Sequence, residues 1–314
     1  MIIKPGSMKK EQLISKVGEI LFLAVIAGLI IFFSFGFLPN QEAIKIQDAV
    51  KQKLISVKLN STGKYSGKSM QVTLKNLTGK TQQIQLPAGT VFIADTSAEQ
   101  NIYMPEDATI VLQPKQSKTT SIEGYCCEPS DRGPKENSPF KLSFTENKDL
   151  LALNKVIKGK KLSEDIKQNA VWATINKELS PINEYNDHQS GSSSDPADIV
   201  RLRQDMSAEL NIPDAWYNTH QNVSMDANRR IVLEPTEISG AITIKINGNT
   251  TLKEVIKNEK GEIIDNDMKP YTINKTGNLT YSFNLKVRGW DPGKYYVIVT
   301  ANSKEVLKQE FAIN

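Results

Sequence analysis

The sequence predicts a mainly β protein, with an N-terminal transmembrane helix followed by two antiparallel β-sandwich domains and a few short helices between them. Three observations carry this expectation. A single uncharged apolar run, Ile20–Leu38, stands near the N-terminus. Two blocks, 54–144 and 230–314, alternate apolar and polar residues with period two. The stretch between them is polar and rich in Gly and Ser, and it holds helix-capping residues. The 314 residues suffice for about two domains at ~100–200 residues each.

Composition narrows the function classes. Hydrophobic residues make up 39%, enough to build cores. With 39 Lys and Arg against 35 Asp and Glu the formal charge is +4, and seven lysines against four acids place +3 of it in residues 1–53. The remainder is close to neutral, so there is no basic face and no expected nucleic-acid partner. Two cysteines and two histidines leave no disulfide scaffold, no cysteine zinc site and little histidine chemistry, so neither metal nor cofactor is expected.

Residues 1–19 read as a cytoplasmic tail, because Lys9, Lys10 and Lys16 precede the apolar run. Residues 20–38 hold no charge and no proline, and at ~1.5 Å per residue such a helix just crosses ~30 Å of hydrocarbon. A cleaved signal is the rival reading. However, the run is longer than a usual signal core, and Gln41 and Ala43 stand where two small residues are needed. The expected product is a single-pass protein anchored in the bilayer by Ile20–Leu38, with the bulk of the chain periplasmic or extracellular.

After a tether over 39–53, a first sandwich is expected over 54–181 with a helical appendage. Short strands are predicted over 54–60, 69–77, 82–86, 90–94, 109–112 and 119–123, separated by Gly, Pro or Asp. The first helix beyond the tether is expected to start at Ser163, with Glu164 and Asp165 suiting its positive end and Ile166, Ala170 and Ala173 forming one face. A polar linker over 182–229 carries one helix, capped by Asp195 and opened by Pro196, with Ile199, Leu202, Met206 and Leu210 inward. In 230–314, Ile242, Ile244 and Ile246 alternate with polar residues, as do Phe283, Leu285 and Val287. That pattern is the habit of immunoglobulin-like sandwiches.

The C-terminal block carries Leu233-Glu234-Pro235, the strand 241–246, Lys260-Gly261-Glu262-Ile263 and Pro292-Gly293-Lys294-Tyr295-Tyr296-Val297. In this order of features it resembles the β-sandwich modules that end exported proteins of Bacteroidetes-type bacteria, among them type IX sorting domains. The resemblance implies an immunoglobulin-like fold and an exported bacterial origin.

Tyr125-Cys126-Cys127-Glu128 is the most unusual local sequence, and Gln168-Asn169-Ala170-Val171-Trp172 lies downstream. Together these resemble the two halves of the thioester domains of surface adhesins. That resemblance implies a side-chain bond between a cysteine and Gln168, formed with loss of ammonia and later open to attack by an amine. The residues by themselves leave other readings open: a disulfide between the adjacent Cys126 and Cys127, two free or partly buried thiols, or a bridge to another chain.

The remaining candidates have bland readings. His188 and His220 lie in polar segments and are expected to be solvated; Asp265-Asn266-Asp267 reads as a turn rather than a calcium loop. Trp216, Tyr217 and Trp290 are possible binding anchors, with Trp290 more simply capping a sandwich. Sequons at Asn60, Asn76, Asn222, Asn249, Asn274 and Asn278 are polar strand and turn residues if the source is bacterial. No nucleophile is assembled with a base, so no enzyme is expected. The leading expectation is a membrane-anchored, non-enzymatic extracytoplasmic binding or assembly protein with an unidentified protein partner. The alternatives are a covalent thioester adhesin, or an accessory subunit of a membrane complex.

Overall fold

The computed structural model describes residues 42–129, 131–187, 191–265 and 269–314. The apolar run Ile20–Leu38 lies outside them, and among the described residues no helix is long and apolar enough to cross a membrane. The chain is mainly β, built on several sheets.

The first part runs β1 (Ile44–Lys45), α1 (Ile46–Lys51), β2 (Ile55–Thr62), β3 (Met70–Asn76), β4 (Gln82–Leu86), β5 (Thr90–Ala94), β6 (Ile102–Met104), β7 (Ala108–Leu112), β8 (Ser117–Ile122), β9 (Tyr125–Cys126) and β10 (Glu136–Phe144). One sheet has the order β8-β3-β2-β10-β5-β6-β9, the other β1-β4-β7. Period two puts Val72 and Leu74 of the first sheet and Ile84, Leu86, Ile110 and Leu112 of the second into one buried cluster. Strands β6, β9 and β10 were not expected. Two are very short, and β10 carries Pro139 at a break in its pairing with β2, where proline costs no ladder bond.

Three helices follow: α2 (Lys148–Ile157), α3 (Glu164–Asn176) and α4 (Pro196–Leu210). Helix α2 corrects the expectation that the helices begin at Ser163. Asn147 caps it, its Oδ1 accepting from Asp149 N and Leu150 N at 2.9 and 3.3 Å, and Leu150, Leu153 and Ile157 share its inner face. Ser163 caps α3 through Ile166 N, and Asp195 caps α4 through Ala197 N. Helix α3 is not the one-faced helix expected: every residue from Gln168 to Thr174 is buried. Trp172 enters the core of the first sheets, whereas Ala170, Val171 and Ala173 enter a second core shared with α2 and α4.

The last part comprises β11 (Tyr217–Met225), β12 (Ile231–Ile246), β13 (Thr250–Asn258), β14 (Ile263–Asp265), β15 (Tyr271–Ile273), β16 (Gly277–Lys286), β17 (Gly293–Ala301) and β18 (Lys304–Ile313). Its sheets are β11-β12-β16 and β14-β13-β17-β18, with β15 against β13. Ile242, Ile244, Phe283 and Leu285 from one sheet meet Leu252, Ile256, Val297 and Phe311 from the other in a third core. Gly240 pairs with Phe283 because the ring fills the space over it: a Cβ there would stand 2.7 Å from the ring.

Strand β12 serves two cores. Its lower end and the end of β11 supply Ile231, Leu233 and Val223 to the first, and its upper end supplies Ile238, Ile242 and Ile244 to the third. At the turn between them Arg229 donates to the carbonyls of Gly63 and Pro134 at 3.0 and 2.6 Å. The stretch read as a polar linker thus contributes a nine-residue strand. It is also pinned inside: Asp187, 2% exposed, accepts from Ser163 Oγ, Ser194 N and Ser194 Oγ at 2.5–2.6 Å.

Candidate functional site: a cysteine and a glutamine joined across two cores

Strand β9 pairs with β6 along one edge, Cys126 opposite Ile102. Its other edge faces α3, where the fully buried Gln168 takes the place of a neighbouring strand. Gln168 Oε1 accepts from Cys126 N at 3.0 Å, and its Nε2 donates to Cys126 O at 2.9 Å. Cys126 N is shared with Tyr65 O at 2.9 Å. The structure therefore brings together Cys126 and Gln168, which stand 42 positions apart in the chain.

The adjacent thiols part company. Cys126 lies in the core of the first sheets and Cys127 in the helical core, as neighbouring strand residues must point to opposite faces. Both are free and buried. Burial pushes both thiols up, helped at Cys126 by Cys127 and Glu128 and at Cys127 by Glu128. Glu128 is itself raised, mainly by burial, while Asn101 donates to it through N at 3.0 Å and Nδ2 at 3.2 Å. On the other side of α3, burial works against the Lys167 charge. Ion pairs to Glu106 and, at 3.3 Å, to Glu123 outweigh it and leave the amine raised.

Gln168 borders a cleft of about 10 Å³ lined by Tyr65, Asp165, Asn169, Trp172, Asn186 and Val223. That is room for about one water-sized group. The Tyr65 and Trp172 rings stack across it at 6.1 Å and 14°. Burial raises the Tyr65 hydroxyl, with Asp165 and Cys126 adding to the effect.

The contacts shown are to the Cys126 backbone, and acyl transfer from carboxamide to thiol would require the Cys126 sulfur to reach the Gln168 carboxamide carbon. When sulfur adds to the Gln168 carboxamide carbon, negative charge grows on Oε1, where the Cys126 N–H already donates. The departing nitrogen is the one held by the Cys126 carbonyl. Burial that disfavours a thiolate also excludes the bulk water that would hydrolyse a thioester. Tyr65, Asp165 and Asn169 were missed by sequence reasoning, although Asp165, Gln168, Asn169, Trp172 and Asn176 fall at one helical face by their spacing.

The other candidates are placed as follows. His188 and the residues Asn266 and Asp267 of the acidic turn lie outside the described residues, and no metal-holding group of His, Cys, Asp and Glu occurs among the described residues. His220 is not solvated as expected. Its Nε2 lies 3.0 Å from Ser239 Oγ, its Nδ1 lies 2.9 Å from Glu237 Oε1 but off the line of a hydrogen bond, and Tyr185 stacks on it at 4.2 Å. Burial lowers its pKa against the opposing pull of Glu237. Tyr217 is buried, its hydroxyl accepting from Ala312 N, and the half-buried Trp216 donates to Glu310 O at 2.6 Å. Trp290 packs on Tyr295.

No protein-family model and no curated protein matches the sequence. Among solved structures, the alkylpurine DNA glycosylase of Pseudomonas fluorescens bound to DNA containing an abasic site analogue overlaps 52% of this chain and 50% of its own. The chain thus spans half the length of that protein, at 12% identity and a TM-score of 0.20, a superposition that carries no argument about fold or activity.

Proposed function

We propose that this chain is a surface protein, held in a bacterial cell membrane by Ile20–Leu38 with its bulk outside the cytoplasm, that closes an internal thioester between Cys126 and Gln168. It then forms a covalent bond to an amine of a partner protein. The observation that carries the reading is the double hydrogen bond by which the Gln168 carboxamide holds both backbone groups of Cys126 in a buried site.

The reaction balances without any added reagent. Cys126 Sγ bonds to the Gln168 carboxamide carbon, the carbon–nitrogen bond breaks, and the thiol proton leaves with ammonia. A partner amine later attacks the same carbon, forming an amide and returning the free thiol. Each chain reacts once, so the protein acts as a covalent binding module and not as an enzyme. The paired sheets, read as immunoglobulin-like sandwiches, hold the bond and project it from the membrane.

Intact mass of the full-length chain tests this. The mass should fall short of the sequence by one ammonia, unchanged by reductant, restored in Cys126→Ala and in Gln168→Ala, and still short in Cys127→Ala. A full mass in the wild type would overturn the proposal. So would a loss of two hydrogens that reductant recovers, which is the signature of a Cys126–Cys127 disulfide.

A further inference from the structure

Strand β16 stands at an edge of the sheet β11-β12-β16. Val287 N donates to Thr236 O at 3.0 Å, which fixes the alternation along the ladder: odd-numbered residues of β16 exchange their backbone bonds with β12. The N–H and C=O groups of Asn278, Thr280, Ser282, Asn284 and Lys286 therefore point away from the sheet. All five residues are exposed, and among the described residues no backbone bond reaches them on that side. The other long edge strands of this domain are protected. On β11, at the far edge of the same sheet, Thr219 N donates to Ser180 O at 3.0 Å, and Thr219 O accepts from Asn183 and Asn186 Nδ2 at 3.0 and 2.8 Å. On β18, Lys304, Glu305, Lys308 and Glu310 put charge along the edge. Strand β16 has neither device: its one charge is Lys286, at its end, and it holds no proline.

We propose that β16 pairs antiparallel with β16 of a second copy of this chain, about a two-fold axis at Ser282, and so joins the two three-stranded sheets into one. Any extended strand could satisfy the backbone. The side chains single out a second copy, because by residue class β16 reads alike in both directions from Ser282. In the self-paired register Tyr281 meets Phe283, Thr280 meets Asn284, and Leu279 meets Leu285. Burial is divided the same way. Phe283 and Leu285 are buried within one copy, whereas Tyr281 and Leu279 are half-buried. Pairing lays the buried half of each strand against the half-covered half of the other. Tyr281 and Phe283 fall at a pair without backbone bonds, where Cα atoms stand ~4.5 Å apart and aromatic side chains touch. Charge agrees as well. Lys286 meets the second copy's Asn278, and the two lysines end eight residues apart along the seam, about 26 Å at ~3.3 Å per residue. The pairing needs nothing from the Cys126–Gln168 bond.

The test reads the mass of the full-length chain in mild detergent by light scattering, across a concentration series. Wild type should pass from monomer to dimer. Ser282→Lys and Ser282→Asp each set two like charges ~5.5 Å apart across the axis, and each alone should raise the dimer dissociation constant about tenfold or more. Their 1:1 mixture sets opposite charges there and should dimerise again as tightly as wild type. Ser282 is exposed, so neither variant should move the urea midpoint of the monomer. Should one do so, the double variants Thr280→Lys/Asn284→Lys and Thr280→Asp/Asn284→Asp, whose residues face each other across the same axis, repeat the comparison. A wild type that stays monomeric throughout the series would overturn the pairing. A dimer that the single variants leave unchanged would place the contact elsewhere, the apolar run Ile20–Leu38 included, and would overturn it too. A mixture no tighter than its two components would refute the meeting of Ser282 with its own copy.

Discussion

Replacing Gln168 by Glu in a Cys126→Ala background, where no thioester can form in either chain, isolates the hydrogen bonds of the site. Glutamate has the same shape, and one oxygen can still accept from residue 126 N. The other now faces the carbonyl that Gln168 Nε2 donated to at 2.9 Å, so only the protonated acid can restore the pair. The folded variant is therefore expected to hold its proton far above the ordinary glutamate range. Because protonation is always available, its cost sets a ceiling. From an unfolded pKa of ~4.3 and ~1.36 kcal/mol per pH unit, the ceiling is about 3.7 kcal/mol at pH 7 and about 1 kcal/mol at pH 5. The sign follows from linkage: the folded state binds the extra proton, so the variant loses stability as pH rises. Urea unfolding of both chains at pH 5 and pH 7 should show the gap between them widening by up to about 2.7 kcal/mol. An equal gap at the two pH values would refute the arrangement, since it would mean that residue 168 does not donate to the residue 126 carbonyl.

Two further outcomes follow from buried polar groups. Asp187→Ala should destabilise the protein by about 3 kcal/mol in chemical denaturation, because it orphans the Ser194 amide and two serine hydroxyls in the interior, and it should open 183–195 to limited proteolysis. His220 is depressed in the folded state, so the unfolded chain takes up a proton first as pH falls below the ordinary 6.5. Wild type should therefore lose stability in that window relative to His220→Gln, and parallel curves for the two proteins would contradict the burial of a neutral imidazole.

Much of the β architecture is legible from local pattern, because alternation at Val72 and Leu74 or at Ile242 and Ile244 records which side of a strand is wet. What escaped the sequence was set by partners distant in the chain. Strand β9 is two residues long and exists because β6 and Gln168 bracket it. Helix α3 has no exposed face over 168–174 because cores lie on both sides of it, and periodicity does not record that its polar residues are buried too. His220 sits in a polar string whose burial depends on Tyr185 and Glu237. At the site itself, Cys126 and Gln168 stand out by residue type, whereas Tyr65, Asp165 and Asn169 became visible only once the cleft had walls.

The strand shared between two cores also sets a clock. If, as proposed, the chain crosses a membrane N-terminus first, Cys126 and Gln168 emerge well before residue 223, and segments begin to fold in the order in which they appear. Yet Val223 is one wall of the cleft at Gln168, and Ile231 and Leu233 complete the core in which Cys126 lies. Until the hairpin arrives, the cysteine and the glutamine can meet only in a wet, half-built pocket where a thioester would be lost to water. Late arrival of β11–β12 would thus delay durable activation until most of the molecule is already outside. On that reading, a premature stop between residues 169 and 233 would leave a chain that carries both side chains and keeps neither of them ready.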